Sequence, residues 1–468
     1  MRSMQYRPEI DGIRAIAVLS VVIFHSGLGI MNGGYLGVDL FFVISGYLIT
    51  KILIAELENG RFSIISFYER RIRRILPALF VTLALSFVAA WYLMSPIHME
   101  GFSRSLVAVA AFCSNILFWR EAGYFDSAAD LKPLLHTWSL AVEEQYYIFF
   151  PIFLALSWRF GKKITLALLA IAFVASLAIA QWGMMNKPIA TFYLMPTRAW
   201  ELLVGVFAAY IAQHMESTGR RPATAMANLL SGLGLALVFY ALFFFTPQTA
   251  IPSYPALVPT VGAALLILFA SDGTLVSRLL SIRPLVGIGL ISYSAYLFHQ
   301  PLLAFARYRT IHELSPAISV FLCVTTFIWA YLSWRYIEQP FRNRKAISRK
   351  VIFPLGAVAT ALFIVAGVWN VRNGGINAND DHKIIYASTY DACHFHNMPN
   401  SLTMDLCKTS MQFDNYYILI GDSHAMVLFV QLKESLAKQG YGLIAFTKNT
   451  LYPVVGTYRT DGINNQAR

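Results

Sequence analysis

The chain has 468 residues, of which 57% are hydrophobic and only 13% charged, with a mean hydropathy of +0.55. Soluble domains carry about twice that charged share, so a water-soluble globular protein is excluded and a chain that crosses a bilayer many times is indicated. The formal net charge of +12 requires no nucleic-acid partner, because cytoplasmic loops of membrane proteins carry an excess of Lys and Arg.

Apolar segments long enough to cross a ~30 Å hydrocarbon core fall near residues 13–30, 36–56, 76–95, 139–158, 164–182, 194–213, 228–246, 255–271, 285–306, 316–336 and 351–369. The span at 255–271 is short, and 103–119 is a weaker apolar stretch of interfacial character. The first run lacks a small-residue cleavage site and is followed at once by another, so it reads as a retained span. Loops 57–75, 158–163, 213–227, 271–284 and 337–350 are basic, whereas 31–35, 183–191 and 246–256 carry almost no positive charge. This alternation predicts a cytoplasmic N-terminus and, after an odd number of spans, a tail on the outside.

The first span carries Arg14 and, eleven residues later, His25. Eleven residues of helix return to nearly the same face about 16 Å further along, so the two side chains share a stripe, with Asp11 close to it. Ionisable residues within a span mark a polar cavity or a functional site; the other reading is that both snorkel to opposite headgroup layers. With the orientation fixed, the polar residues sort into two layers. The outer layer holds His25, Asp39, His136, Glu143, Glu144, Arg198, Glu201 and His299; the inner holds Arg14, Lys51, Arg70, Arg71, Arg73, Arg74, Arg335 and Glu338. Imidazoles with carboxylates suit a general base held by an acid. Guanidinium forks suit phosphate oxygens. Structural readings stand beside these: Arg198 with Glu201 as a local ion pair, the RRIRR run as a cytoplasmic marker, His299 as a backbone cap. Glu143 and Glu144 are adjacent and face different ways, so one of them at most serves chemistry. No metal-ligand spacing is present in the sequence, and no metal is expected. Cys113 and Cys323 lie in apolar surroundings that suit inert thiols. Cys393 and Cys407 both fall in the outside tail, where an oxidising compartment permits a disulfide.

The stretches YRPEIDGIRAIAVLSVVIFH, GGYLGVDLFFVISGYLIT, FYERRIRRILPAL, HTWSLAVEEQYY, SYSAYLFHQP and WRYIEQPFR occur in this order across residues 6–345. Together they resemble the successive signatures of the acyltransferase-3 membrane family, in particular bacterial O-antigen acetylases. The resemblance implies a ten-helix acyltransferase bundle over residues 1–345, followed at 346–371 by a linker and an eleventh spanning helix. It further implies transfer of an acyl group from cytoplasmic acetyl-CoA to a hydroxyl of a surface carbohydrate such as lipopolysaccharide O-antigen, in the bacterial inner membrane. Carried over by position, the family's essential histidine is His25, its first-helix arginine Arg14, and its RxxR pair Arg71 and Arg74, with Arg70 beside it and Lys51 as a further cation on the donor side. Glu143 matches the acid of the fourth signature, and Asp39 is taken as a second acid. Base catalysis by His25 and an acyl-histidine intermediate both remain open at this level. The competing class is an ion-coupled transporter or flippase of a glycan precursor, for which internal repeats are the discriminator; none is found.

In the outside tail, Tyr416–Ile420 has the pattern of a buried strand. Gly421, Asp422 and Ser423 follow, and then a helix bearing Lys433, Glu434 and Lys438. GDSHA resembles the first block of SGNH-type hydrolases, which would make Ser423 a nucleophile; as a plain alternative, Ser423 is an N-cap. No D-x-x-H motif follows Ser423 in this sequence. The expectation is therefore that residues 372–468 form an incomplete, catalytically inactive SGNH-like segment.

Overall fold

Proline and polar caps punctuate the apolar runs. Pro8, Pro96, Pro188, Pro196 and Pro316 stand in the first turn of their helices, where the missing N–H costs nothing. Ser63 and Ser315 each accept a hydrogen bond from the backbone N–H three residues on, satisfying a donor the helix leaves free. The computed structural model describes residues 6–122, 129–220, 222–271, 273–310, 314–378, 394–395, 416–421, 432, 435–436, 439 and 441–448.

Within the first compact unit, Met1–Asn377, the helices run as follows. α1 is Pro8–His25, α2 Gly37–Glu58, α3 Ile64–Leu93, α4 Pro96–Ala110, α5 Ser114–Glu121 and α6 Thr137–Trp158. Next come α7 Lys162–Asn186, α8 Pro188–Tyr193, α9 Met195–Thr218, α10 Thr224–Phe244 and α11 Leu257–Phe269. The remainder are α12 Leu275–Leu280, α13 Arg283–Leu290, α14 Ser292–Tyr308, α15 Pro316–Ser333, α16 Gln339–Arg342 and α17 Arg349–Arg372. A π-helical turn, Trp334–Glu338, joins α15 to α16.

Ten of the eleven apolar segments expected from the sequence each fall on one main helix, α1, α2, α3, α6, α7, α9, α10, α11, α15 and α17, whereas the span expected at 285–306 is broken at Ile291 into α13 and α14. Among the described residues, six helices are long and apolar enough to cross a membrane by that criterion alone. The other five either carry ionisable side chains within the run, as α1, α6 and α9 do, or are short. The stretch at 103–119 is not one interfacial segment. It breaks into α4 and α5 at Phe112, which takes a left-handed backbone (φ 53°), so the continuous apolar run hides a corner.

Burial separates the inside of the bundle from its rim. Of the apolar window in Gly34–Glu58, which contains α2, 67% is buried, against 17% for α17. α2 is gripped by α9 through paired glycines: a Cβ at Gly46 would lie 2.0 Å from the Leu202 carbonyl oxygen, and one at Gly205 2.0 Å from that of Val43. Only hydrogen permits that approach. Gly205→Ala is therefore expected to destabilise the protein by about 1–3 kcal/mol, read as a lower midpoint of thermal unfolding in detergent. Gly232→Ala on α10, where nothing lies within 4 Å, should leave the midpoint unchanged or raise it slightly. α17 docks on α4 through Asn370, whose Oδ1 accepts from Ser103 at 2.9 Å, and Arg349 at its start bonds to Glu69 of α3 at 2.7 Å.

The second unit, Ala378–Arg468, contains three described strands: β1 His394–Phe395, β2 Tyr416–Gly421 and β3 Gly442–Lys448. They form a parallel sheet in the order β1-β3-β2, with Tyr416 opposite Gly442 and Gly421 opposite Thr447. Parallel neighbours need a crossover of about a dozen residues or more, and β2 and β3 are far enough apart in the chain to allow one. The strand expected over Tyr416–Ile420 is present and one residue longer. Asp422, Ser423, Cys393 and Cys407 lie outside the described residues.

Candidate active site

The polar side chains of the first unit gather in three places. The first is a cavity between α1, α2, α3, α6 and α14, walled by Arg14, Ser45, Arg71, Arg74, Glu143 and Tyr147 toward one end and by Ser139 and Tyr296 as well. It offers about 80 Å³ to the centres of water-sized molecules, and one water needs about 10–15 Å³. The space therefore has room for several waters. Arg14 is held by Asp11 of its own helix at 3.2 Å, one turn back, and Tyr6 donates to the other oxygen of Asp11 at 2.8 Å. The Glu143 carboxylate accepts from Ser45 at 2.6 Å. Arg71 lies over the rings of Phe67 and Tyr147 at 5.9 and 5.5 Å.

The RRIRR run splits into two kinds of arginine. Arg70 is paired with Glu56 at 2.8 Å and Arg73 with Glu69 at 3.0 Å; neither walls the cavity. Arg71 and Arg74 do wall it, and among the described residues no carboxylate pairs with either. Lys51, expected on the donor side, instead bonds Glu216 at 2.8 Å away from the cavity. Arg70 and Lys51 are thus separated from Arg14, Arg71 and Arg74 because each has a nearer acid of its own.

The second place is a histidine cluster. His25 and His299 have ring centroids 5.2 Å apart, and His136 lies 5.1 Å from His299. His25 Nδ1 sits 3.0 Å from the Val21 carbonyl oxygen and His299 Nδ1 2.6 Å from that of Tyr296. A carbonyl only accepts, so in both neutral rings Nδ1 carries the hydrogen and Nε2 the lone pair. Arg307 donates to the backbone carbonyl of His25, a cation at a helix C-terminus where the dipole favours it. Among the described residues, no group of three or more His, Cys, Asp or Glu is arranged to hold a metal ion.

Tyr296 borders both places. It walls the cavity, and its ring lies 5.4 Å from His136 and 5.3 Å from His299. Its hydroxyl donates to the His136 carbonyl at 2.8 Å and meets Ser139 Oγ at 2.6 Å. The expectation of one stripe carrying Arg14 and His25 is met by a single helix, but the cavity wall reaches Arg14 and stops at Tyr296 without including His25. Tyr296, Ser45, Ser139 and Arg307 were not singled out from the sequence. Tyr296 had a signal there, since it stands three residues before His299 and shares its helix face.

The third place is a buried ion set. Arg198 bonds Asp39 at 3.1 Å and Glu201 at 2.7 Å, with the rings of Trp138, Phe192 and Phe42 at 5.1, 5.3 and 5.5 Å. Arg198 and Glu201 are the local pair the spacing allows, joined by a long-range partner. Asp39 is consequently bound to Arg198, and Glu143 to Ser45, so neither expected acid touches His25. Glu144 is not part of the cavity wall; its Oε1 is buried without a partner. Glu338, in the π turn, accepts from Ser294 at 2.6 Å and from Arg342 at 2.7 Å. Cys113 and Cys323 are free thiols.

A helical membrane bundle that places an arginine-walled cavity next to a cluster of lone-pair-bearing imidazoles has the parts of a group-transfer enzyme. Residues 7–335 match the family model described as an acyltransferase domain, and residues 392–468 that of the SGNH domain fused to such domains. The chain belongs to the acyltransferase-3 family and is a membrane acyltransferase. It is 31% identical over 418 residues to the peptidoglycan O-acetyltransferase OatA of Listeria monocytogenes, covering 83% of this chain and 67% of that protein. A protein of Staphylococcus aureus provisionally named O-acetyltransferase is 32% identical over 473 residues, covering 93% and 77%. YrhL of Bacillus subtilis, provisionally named peptidoglycan O-acetyltransferase, is 33% identical over 367 residues, covering 74% and 57%. No solved structure matches the chain.

Proposed function

We propose that this protein moves an acetyl group from cytoplasmic acetyl-CoA to a hydroxyl of an envelope carbohydrate, across the bacterial cytoplasmic membrane. The loop charges orient the N-terminus to the cytoplasm, which puts the Arg14, Arg71 and Arg74 end of the cavity inside and the His25 end outside. The tail after α17 then lies in the outer compartment. Peptidoglycan stands ahead of lipopolysaccharide O-antigen as the acceptor, on the strength of the relatives' names.

The geometry supports the following roles. Phosphate groups of the donor cannot enter hydrocarbon, and Arg71 and Arg74, which have no carboxylate of their own among the described residues, offer charge-assisted donors to them. Arg14 continues the positive wall inward, with Asp11 fixing its direction. The thioester arm extends from there toward Tyr296 and the histidines. His25 Nε2, its lone pair set by the Val21 carbonyl, accepts the proton of the acceptor hydroxyl as its oxygen attacks the thioester carbonyl. The carbon–sulfur bond breaks and the proton ends on the leaving thiolate. Glu143, bound to Ser45, shapes the wall, and Asp39, bound to Arg198, ties α2 to α9.

The observation that carries this reading is a cavity wall where Arg14 of α1 meets Arg71 and Arg74 of α3, with a tautomer-fixed imidazole, His25, about 16 Å from Arg14 along the same helix. Mass spectrometry of muropeptides and of surface polysaccharide, from cells with and without the chain, tests it. An acetyl mass on muropeptides that depends on the chain is expected; the same mass on polysaccharide alone would reassign the acceptor, and no acyl difference in either would overturn the reading.

A further inference from the structure

The π-helical turn Trp334–Glu338 is of a kind that is rare and concentrates at functional sites. It buries Glu338, whose carboxylate accepts from Ser294 at 2.6 Å and from Arg342 of α16 at 2.7 Å. Ser294 follows Ser292 and Tyr293, which both wall the arginine-lined cavity. On the other side, Arg73 donates to the Phe341 carbonyl at 3.2 Å, which fixes α16 against the turn of α3 that carries Arg74. Arg342 is thus held beside the positive end of the cavity. Its charge is within electrostatic range of Arg74, Asp11 and Tyr293 and of Arg14. Converging like charges repel one another, and an anion among them removes that cost. Glu338 engages only Nη2 of Arg342, and Nε is buried with no hydrogen-bond partner. A buried donor left over in this way calls for an acceptor.

We infer that Arg342 is a specificity-determining residue of the donor site, binding the 3′-phosphate of the coenzyme A ribose while Arg71 and Arg74 hold the pyrophosphate. This rests on the reading of acetyl-CoA as the donor. The order of groups along that molecule sets the assignment. The pantetheine arm runs from the thioester to the pyrophosphate, and the ribose with its 3′-phosphate lies beyond. Arg71 and Arg74 wall the cavity. Arg342 is 33% exposed and stands in the basic loop that the charge pattern places in the cytoplasm. It is therefore the cation reached last, by the end of the donor that stays in water. A guanidinium presents a fixed fork to a phosphate, and Glu338 is the positioning residue that aims it.

Equilibrium binding of acetyl-CoA and of acetyl-3′-dephospho-CoA to the purified full-length protein in detergent tests this. The wild type should bind acetyl-CoA about 10-fold more tightly than the dephospho compound. Arg342→Gln keeps an amide donor for Glu338 and should lose the preference: acetyl-CoA binds about 10-fold more weakly, the dephospho compound within about twofold of wild type. Arg342→Lys keeps a charge beside the buried carboxylate and should keep part of the preference. Arg344→Ala removes a cation of the same loop that faces Glu69 at 3.7 Å, and should leave both affinities unchanged, which separates a local contact from a general loss of positive charge. Equal affinity of the wild type for the two compounds overturns the inference without any variant, and so does a preference that survives Arg342→Gln. A loss in Arg342→Gln that is the same for both compounds would make Arg342 a brace of the π turn and overturns it too. If the wild type binds neither compound, acetyl-CoA is not the donor; binding both equally well removes only the assignment of Arg342.

Discussion

Replacing His25 with alanine is expected to reduce acyl transfer by about 10²–10⁴-fold while the protein still inserts and still binds its donor. Among the described residues the side chain hydrogen-bonds only the carbonyl of Val21 in its own helix, so its loss costs about 1 kcal/mol of stability. The cavity wall does not include His25, so Arg14, Arg71 and Arg74 keep their places. The checks are envelope acetyl content, the amount of full-length protein in the membrane, and equilibrium binding of acetyl-CoA. Wild-type acetylation by the alanine variant would move the base to another member of the cluster, and lost insertion would show that the ring is structural.

Local rules in the sequence foretold part of this site and tertiary contacts decided the rest. Arg14 and His25 belong to one helix, so their separation follows from helical rise alone. Glu69 and Arg73 stand four apart, the spacing of a helical ion pair, and the pair is there. Which of the remaining arginines face the cavity depended on Glu56, contributed by α2 to Arg70, and no local pattern encodes that. The same holds for Asp39. Its place near the outer end of α2 was legible, but its engagement with Arg198, 159 residues away in the chain, follows from the glycine-mediated approach of α2 to α9. Helix existence was read well because an apolar run of span length has few other fates. The corner at Phe112 was not, since a left-handed residue inside AVAAFCSN leaves no Gly or Pro to announce it. In the tail, the β-rich run at Tyr416 was visible from composition, whereas its pairing with Gly442–Lys448 required the crossover to be known.

Arg71→Ala combined with Arg74→Ala is expected to weaken acetyl-CoA binding by about 10²-fold, since a hydrogen bond to a charged group contributes about 1.5–3 kcal/mol and two are removed. kcat at saturating donor should change much less, because His25 and its neighbours are untouched. The control lies in the same helix turn. Arg70→Ala removes a cation already paired with Glu56 and absent from the cavity wall, and donor affinity should then stay within about twofold; the two charges it separates are a partly exposed pair that contributes about 1 kcal/mol or less to stability. Lys at positions 71 and 74 should recover only part of the loss, because an ammonium offers a point charge where a guanidinium offers a fork. The binding lost in the double variant should also shrink as ionic strength rises, since screening weakens the wild-type contact first. Donor affinity unchanged in Arg71→Ala with Arg74→Ala, beside a loss in Arg70→Ala, would place the phosphates on the other face of α3 and with them the entry route of the donor.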